Sequence, residues 1–346
     1  MPSSPMQLLR ERRAIRQALA GWRRDGVLVP AAARLAWTRT EPGASDWRGW
    51  LDLALLALGA ALLCVGVIVF FAFNWQDLHK FAKFGLLAAL ITALAAFALP
   101  RRPGDLAAQA ALAGAQVLTG ALLAVIGQIY QTGADAWQLF ALWALLAVPW
   151  ALAARAAPHW WVVLVVGNVA LLRYCSIRLG VGGMFELLFG ERGGLATSLL
   201  LLLATAVQLA LWYGLCALAP ALGFRGQAGA RIAGALACAY ATWLGLASLL
   251  QSAVAGGYYL CALAALAALA ALGAWVYLRA FDIVLLSLAS FSAIVLGIGG
   301  AGHWLLRGSA DYGVFLLLGL LTVALAGGTA SWLLRAHRRH VMGAQA

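Results

Sequence analysis

Long apolar stretches alternate with short polar breaks along most of the chain. Ten of these stretches approach the length of about 20 residues that a helix needs to cross the hydrocarbon core of a bilayer. Runs such as 199–203, which is five leucines in succession, lack the apolar–polar alternation of a membrane β-strand. Since backbone groups in hydrocarbon must be hydrogen-bonded internally, each stretch predicts a transmembrane helix. The predicted spans are 50–73, 81–99, 109–129, 137–154, 157–173, 195–219, 231–251, 258–278, 283–303 and 312–334.

These spans divide the chain into three parts. Residues 1–49 form a charged N-terminal segment, residues 50–334 the membrane region, and residues 335–346 a basic tail. The first 48 residues contain no early apolar stretch typical of a cleavable signal peptide, so the first span is expected to act as the insertion signal. The predicted fold is all-α, a polytopic bundle of about ten transmembrane helices.

The N-terminal segment predicts a hairpin of two short helices. Gly26 is placed to end the first helix, and Pro30 to open a second helix through Leu35. Arginines dominate the first helix apart from one apolar face. Such a basic amphipathic hairpin suits two interpretations, which the sequence leaves open: it lies on the anionic cytoplasmic leaflet, or it packs on the bundle as a solvated cap. The apolar face consists of Leu8, Ile15, Leu19 and Trp22.

Composition agrees with a surface that faces lipid. Hydrophobic residues make up 64% of the 346 residues and charged residues only 10%, whereas a soluble domain carries roughly 25% charged residues. The net charge is +12. The excess lies at the two chain ends and in alternate short loops, with no basic groove interleaved with aromatic residues, so nucleic acid is not an expected partner.

The distribution of basic residues predicts an orientation. If ten spans are present and the N-terminus is cytoplasmic, 18 of the 24 Lys and Arg residues lie on the cytoplasmic side and six lie outside. The weakest span is 157–173, which Arg173 interrupts. Without that span, the excess of basic residues on the cytoplasmic side largely vanishes. The excess therefore favours ten spans. The expected location is the bacterial inner membrane, with both termini in the cytoplasm.

Small residues at four-residue spacing predict close helix packing inside the bundle. The pattern lets the backbones of neighbouring helices approach each other. It is formed by Ala230, Gly234, Cys238 and Thr242, and by Ala110 and Gly114.

Three motifs stand out from this apolar background. In chain order they are Leu19-x-x-Trp22-x-x-x-Gly26 before the Pro-started helix, Gly66 leading to Phe73-Asn74-Trp75-Gln76-Asp77-Leu78, and Gly120 leading through Gly127-Gln128-Ile129-Tyr130-Gln131 to Trp137. Together, over residues 8–155, they resemble the bacterial membrane proteins of domain-of-unknown-function family 2157. The resemblance implies a polytopic membrane protein with a short cytoplasmic N-terminal region, and it implies no established activity.

The ends of two outward-running spans supply a candidate ligand site. Amide and aromatic groups without strong charge suit a neutral polar ligand such as a sugar or a lipid headgroup, although Trp and Tyr also form a belt wherever helices leave the membrane. The sequence position of Gln128 predicts burial, and an amide in lipid needs a partner on a ligand or on another helix. The candidate residues are Asn74, Trp75, Gln76, Asp77, Gln128, Tyr130, Gln131, Asp135 and Trp137.

Motifs for catalysis, metals and cofactors are not found in the sequence. There is no GxxxxGK[ST] loop, no HExxH and no GxSxG. The five cysteines lie in or near apolar runs without a CxxC pair, and the five histidines are scattered. Asp52, Asp282 and Asp311 lie at the starts of spans, where the membrane interface explains them. No catalytic residue, metal or cofactor is expected, and the chain is not expected to be an enzyme.

Three functional hypotheses follow. The first is binding or transport of a small neutral or lipid-like molecule, and for transport Gln116, Asn168 and Gln208 would converge on one cavity. The second is a scaffold or envelope assembly partner, with a closed core and a groove made of small residues that receives another membrane protein or a second copy. The third is an enzyme acting on a lipid-linked substrate through Asp77, His79 or Asp135. The bilayer is the expected partner in each case, and the ligand is not identified.

Overall fold

A computed structural model describes the chain except for residues 1–14, 17, 20, 24–25, 41–42, 74–78, 103, 131–132, 134, 179–193, 251–257, 307–311 and 344–346. The described residues form helices and connecting turns, with no strand among them. A 3-10 turn, Pro220–Leu222, lies between the helices that end at Leu218 and begin at Ala228. The helices are α1 (Pro30–Arg39), α2 (Ala44–Phe73), α3 (Lys80–Ala98), α4 (Leu106–Tyr130), α5 (Ala136–Ala154), α6 (Ala157–Arg178), α7 (Gly194–Leu218), α8 (Ala228–Leu250), α9 (Tyr258–Leu278), α10 (Ile283–Leu305) and α11 (Tyr312–Gly343).

Each of the ten predicted apolar stretches coincides with one helix from α2 to α11. Nine of these helices, over their described residues, are long and apolar enough to cross a membrane. Within α9, the segment Ala262–Leu278 counts as a shorter apolar helix. The whole of α9 has 21 residues, which corresponds to a length of about 32 Å. The prediction of an all-α, polytopic helix bundle is confirmed.

The last helix extends beyond its apolar part. Helix α11 has 32 residues and continues without a break through Arg335, Arg338 and Arg339. The tail predicted at residues 335–346 is therefore helical as far as Gly343. Basic side chains near a helix C-terminus interact favourably with the negative end of the helix dipole.

The chain divides into two compact units, Met1–Leu118 and Thr119–Ala346, with the boundary inside α4. The first unit contains the N-terminal hairpin, α2, α3 and the first half of α4. The second unit contains the rest of α4 and all the later helices.

The first helix of the hairpin ends at Gly26, as the sequence predicts. Residues 15–23 are helical wherever they are described. The Val27 N–H donates to the Trp22 carbonyl at 2.9 Å, and the Gly26 N–H donates to the Arg23 carbonyl at 3.4 Å. Gly26 has φ +74°, the left-handed conformation that glycine favours at this position of a helix end.

The second helix of the hairpin is α1, and it contacts the first helix. Pro30 occupies the first turn of α1, where its fixed φ and missing N–H suit a helix start. Arg16 donates from Nε to Thr40 Oγ1 at 3.2 Å, and its guanidinium lies 5.5 Å from the centre of the Trp37 ring. The predicted helical hairpin is thereby confirmed over its described residues. Leu8, part of the predicted apolar face, lies outside them.

Helix α8 is the packing centre of the second unit. Its buried face includes Ala230, Cys238 and Ala241, and Gly229, Gly234 and Gly245 leave room for large side chains of neighbouring helices. A methyl group on Gly229 would overlap the Trp212 ring of α7, and methyl groups on Gly234 and Gly245 would overlap Leu285 and Leu296 of α10. The predicted close packing along Ala230, Gly234, Cys238 and Thr242 is confirmed.

The starts of α8 and α10 lie together at one end of the second unit. Arg231 of α8 contacts Asp282, the residue before α10, with 2.7 Å between Nε and Oδ2. At the same end, the ring of Phe281 stacks on that of His340 near the end of α11, with 4.2 Å between ring centres. Helix α9 must therefore return along the length of α8, because it connects the far end of α8 with the start of α10. This geometry supports a crossing by α9.

Helices α5 to α7 follow the same alternation. The Trp160 ring at the start of α6 stacks on Phe224, which follows the end of α7, with 4.3 Å between ring centres. At the opposite end, Trp137 of α5 packs against Tyr174 near the end of α6. Consecutive helices of this unit therefore run in alternate directions. One end collects most of the described arginines of the unit, namely Arg155, Arg225, Arg231, Arg279, Arg335, Arg338 and Arg339.

Replacing Gly229 by alanine is expected to destabilise the second unit. The new methyl group overlaps the Trp212 ring, which is only 3% exposed and has little room to move. Overpacking of this kind costs about 1–3 kcal/mol. Gly214→Ala in α7 is the matched control, because a methyl group there meets no atom within 4 Å. Thermal unfolding in detergent should show a lower Tm for Gly229→Ala and no decrease for Gly214→Ala. Equal Tm values would contradict this packing.

Candidate functional site

The structure describes four of the nine candidate ligand residues. Gln128, Tyr130, Asp135 and Trp137 lie around the connection between α4 and α5, in the second unit. The other five lie outside the described residues, so the predicted meeting of the two groups stays a prediction. Those five are Asn74, Trp75, Gln76, Asp77 and Gln131.

Asp135 begins helix α5. It occupies the N-cap position with an extended backbone, and its N–H donates to Gln138 Oε1 at 3.1 Å. A glutamine three residues after the N-cap satisfies a backbone donor that the helix itself leaves without a partner. The Trp137 indole Nε1 donates to Asp135 Oδ2 at 3.3 Å. Asp135 is half-buried, and its contacts position the first turn of the helix.

Trp137 joins two helices. Its ring packs edge-on against Tyr174 of α6, with 5.2 Å between ring centres and 83° between ring planes. This is a favoured geometry for an aromatic pair. The structure therefore gives Asp135 and Trp137 structural contacts, which favour the interfacial-belt interpretation for these two residues.

Gln128 and Tyr130 lie in the last turn of α4, and both are exposed. The prediction that Gln128 is buried is wrong. The inward face of α4 runs through Leu118 and Val125, which are buried, to the half-buried Ile129. Gln128 lies beside this face, since one residue along a helix turns the side chain by about 100°.

Two interior amides form a closed pair between α6 and α7. Asn168, 3% exposed, donates from Nδ2 to Gln208 Oε1 and to the Leu164 carbonyl, both at 2.8 Å. Gln208 returns a hydrogen bond from Nε2 to Asn168 Oδ1 at 3.4 Å. Each amide thus satisfies the other, which is the role of polar residues that join helices in lipid. This pairing opposes the transport hypothesis.

Gln116 is the third residue that the transport hypothesis names. It is fully buried and belongs to the first unit.

An ion pair that the sequence pattern does not indicate joins α8 and α10. The Asp282 side chain is fully buried and accepts from the Arg231 Nε at 2.7 Å and from the Val284 N–H at 2.9 Å. Arg231 also donates to Gln227 Oε1 at 3.0 Å. From the sequence, the position of Asp282 at the start of a span is explained by the membrane interface alone. Only the topology indicates this contact, since alternating spans bring the starts of α8 and α10 to the same side of the membrane.

A group of polar atoms lies buried in the second unit, which the sequence pattern does not indicate either. They have no hydrogen-bond partner among the described residues. Trp and Tyr are common at the ends of membrane helices, where they face the interface. The sequence pattern therefore does not indicate that these atoms are buried between helices. The atoms are Trp161 Nε1, Thr197 Oγ1, Tyr240 OH and Trp243 Nε1.

Apolar cavities lie between α2, α3 and α4 in the first unit. One, of about 640 Å³, is lined by residues of all three helices. A second, of about 660 Å³, continues along α2 and α3. The two share Leu63, Val67, Leu90 and Ala93, so we treat them as one first-unit groove. Its lining includes no charged side chain. Small residues on its walls are Gly59, Gly66, Ala89, Ala93, Ala107, Ala110, Ala111 and Gly114.

The described residues offer no metal site. No group of three or more His, Cys, Asp or Glu side chains among them could hold a metal ion.

The interior amide pair is expected to show energetic coupling. Asn168→Leu and Gln208→Leu each leave the other amide without its partner, so the double variant should lose less stability than the sum of the single variants. Pairs of this kind in membranes couple by about 1 kcal/mol. A double-mutant cycle of Tm values in detergent measures the coupling. Asn168→Leu combined with Ser287→Ala is the control, because Ser287 Oγ donates within α10 to the Ile283 carbonyl. Additive effects at 168 and 208 would contradict the pair.

Comparison with known proteins agrees with the resemblance that the motifs indicate. Residues 20–160 match a family model described as "Predicted membrane protein (DUF2157)". No curated protein and no solved structure matches the chain. The matched segment includes α1 to α5 and all nine candidate ligand residues. The predicted resemblance is confirmed: the chain is a membrane protein whose residues 20–160 are similar to the family of domain of unknown function 2157.

Proposed function

We propose that this chain binds a lipid-like molecule in the first-unit groove and that it has no enzymatic activity. The observation that carries this proposal is the groove itself. Each of its two parts falls within the range of roughly 300–1,000 Å³ that is typical of ligand pockets. The groove lies between apolar helices of membrane-spanning length and within the segment that matches the family model.

The lining determines the class of ligand. Side chains of Leu, Val, Phe and Ala, with Cys64 and three glycines, leave a surface that offers dispersion contacts and almost no hydrogen bonds. An acyl or isoprenoid chain matches this surface, whereas a sugar would leave its hydroxyl groups without partners. Glycine and alanine keep the helices from filling the space with their own side chains.

The polar-aromatic residues suit the headgroup of the same ligand. Helix α2 lines the groove as far as Phe70 and ends at Phe73. The next residues in the sequence are Asn74, Trp75, Gln76 and Asp77. The amides and the indole of these residues, at the membrane interface, would contact a neutral polar headgroup.

A scaffold function is the second candidate. A groove walled by glycine and alanine also accepts a helix of another membrane protein or of a second copy, because small residues allow close approach of backbones. The two other functions have less support. The Asn168–Gln208 pair opposes a transport path through the second unit, and Asp135 is engaged in starting α5.

We place the protein in the bacterial inner membrane with both ends in the cytoplasm. The support comes from the positive-inside rule together with the alternating helices of the second unit, whose arginine-rich end also contains the end of α11. Ten crossings return the chain to the side on which it began.

Filling the groove is expected to reduce lipid binding. Gly59 and Gly66 line the groove, and a Cβ atom on either meets no atom within 4 Å. Gly59→Leu and Gly66→Leu therefore have room at the backbone and extend their side chains into the groove. The probe is a fatty acid with a photoreactive diazirine on its chain. Peptide mass spectrometry should locate its cross-links in residues 55–118 and show a severalfold loss in the double variant. Gly85→Leu is the control, since Gly85 is equally open and lies outside the groove.

Two results would decide against lipid binding. Labelling spread evenly over all apolar helices, and unchanged by the filled groove, would show that the groove holds no specific ligand. Unchanged labelling combined with loss of a stoichiometric membrane partner, or of a dimer, in the double variant would favour the scaffold function.

A further inference from the structure

The N-terminal hairpin exposes large apolar side chains next to arginines. Val27 is 72% exposed and Val29 is 70% exposed, in the turn between the two helices. Arg23, Arg34 and Arg39 are exposed beside them. The other large apolar side chains exposed on the hairpin are Ile15, Trp22, Leu35 and Trp37.

This surface is held in place by contacts within the hairpin. The hydrogen bonds of Trp22 and Arg23 that end the first helix fix the turn. Arg16 bridges to Thr40 and lies over the ring of Trp37. Since Leu19 is buried, the hairpin covers one part of its apolar surface and presents the rest outwards in a defined arrangement.

The hairpin lies close in sequence to a membrane interface. Trp47 and Trp50, in the first turns of α2, are exposed, with 6.2 Å between their ring centres. Tryptophans at the start of a span mark the level of the lipid headgroups. Thr40 precedes Trp47 by seven residues, so the end of α1 lies within about 25 Å of that level.

The charge of the segment matches an anionic surface. Residues 1–49 contain nine arginines, no lysine and four acidic residues. Arginine forms paired hydrogen bonds with phosphate groups, and valine, leucine and tryptophan enter the boundary between headgroups and acyl chains. In water, the same apolar side chains would remain hydrated at a cost in free energy.

From these observations we infer that the hairpin binds anionic lipid headgroups of the leaflet in which α2 begins. Arg23, Arg34 and Arg39 contact the phosphates, while Val27, Val29 and Leu35 enter the interface. The hairpin thereby fixes the angle at which the chain enters the membrane. This inference does not depend on a ligand in the first-unit groove.

Hydrogen exchange of the full chain in lipid nanodiscs tests the inference. Amides of residues 22–39 should exchange more slowly in nanodiscs of phosphatidylglycerol and phosphatidylcholine than in nanodiscs of phosphatidylcholine alone. The difference should disappear at 1 M salt, where the screening length falls to about 3 Å. Each arginine near an anionic membrane strengthens binding about fivefold. The double variant Arg34→Gln/Arg39→Gln should therefore reduce the lipid-dependent protection roughly 25-fold.

The control variant is Arg338→Gln/Arg339→Gln, which removes the same charge from the end of α11 and should leave residues 22–39 unchanged. Protection that depends neither on lipid charge nor on salt would show that the hairpin packs on protein, and it would overturn the inference. Fast exchange in both kinds of nanodisc would show a solvated hairpin and would overturn it equally. Both results are obtained with the unmodified chain, so they do not depend on how the variants fold.

Discussion

Hydrocarbon offers no hydrogen-bond partner to a peptide group, and this constraint governs the architecture of the chain. Every backbone N–H and C=O within the bilayer must be satisfied inside its own segment, which makes each apolar stretch a helix. Because lipid is as apolar as leucine, the hydrophobic effect does not drive these helices together. Their association depends on close packing, as where Gly234 and Gly245 of α8 receive Leu285 and Leu296 of α10.

The same constraint explains two polar contacts between helices. In the second unit Asn168 pairs with Gln208, and Asp282 pairs with Arg231, so two buried polar groups become connections between helices. In the first unit the groove is walled by small apolar residues and contains no charge. The two units therefore differ: polar side chains join helices of the second unit, while apolar residues line the groove of the first.

Apolar periodicity and length predicted the helices well, because a span of about 20 apolar residues has few alternatives in a membrane. Local signals were equally reliable at Gly26 and Pro30, whose backbone preferences act without tertiary context. The candidate site was less predictable. The sequence position of Gln128 predicts burial, but Gln128 is exposed and its neighbour Ile129, which is half-buried, lies on the inward face of α4. The Arg231–Asp282 pair joins residues 51 positions apart, and only the alternation of the helices indicates that they meet.

Accessibility of single cysteines from the two sides of the membrane tests the central claim most directly. In a variant without native cysteines, expressed in bacterial cells, Ser3→Cys and Gln345→Cys mark the chain ends, and Ser309→Cys marks the connection between α10 and α11. An impermeant maleimide should label residue 309 on intact spheroplasts and label residues 3 and 345 only after the membrane is opened. Labelling of one chain end on intact spheroplasts would contradict a bundle that crosses the bilayer an even number of times from the cytoplasm.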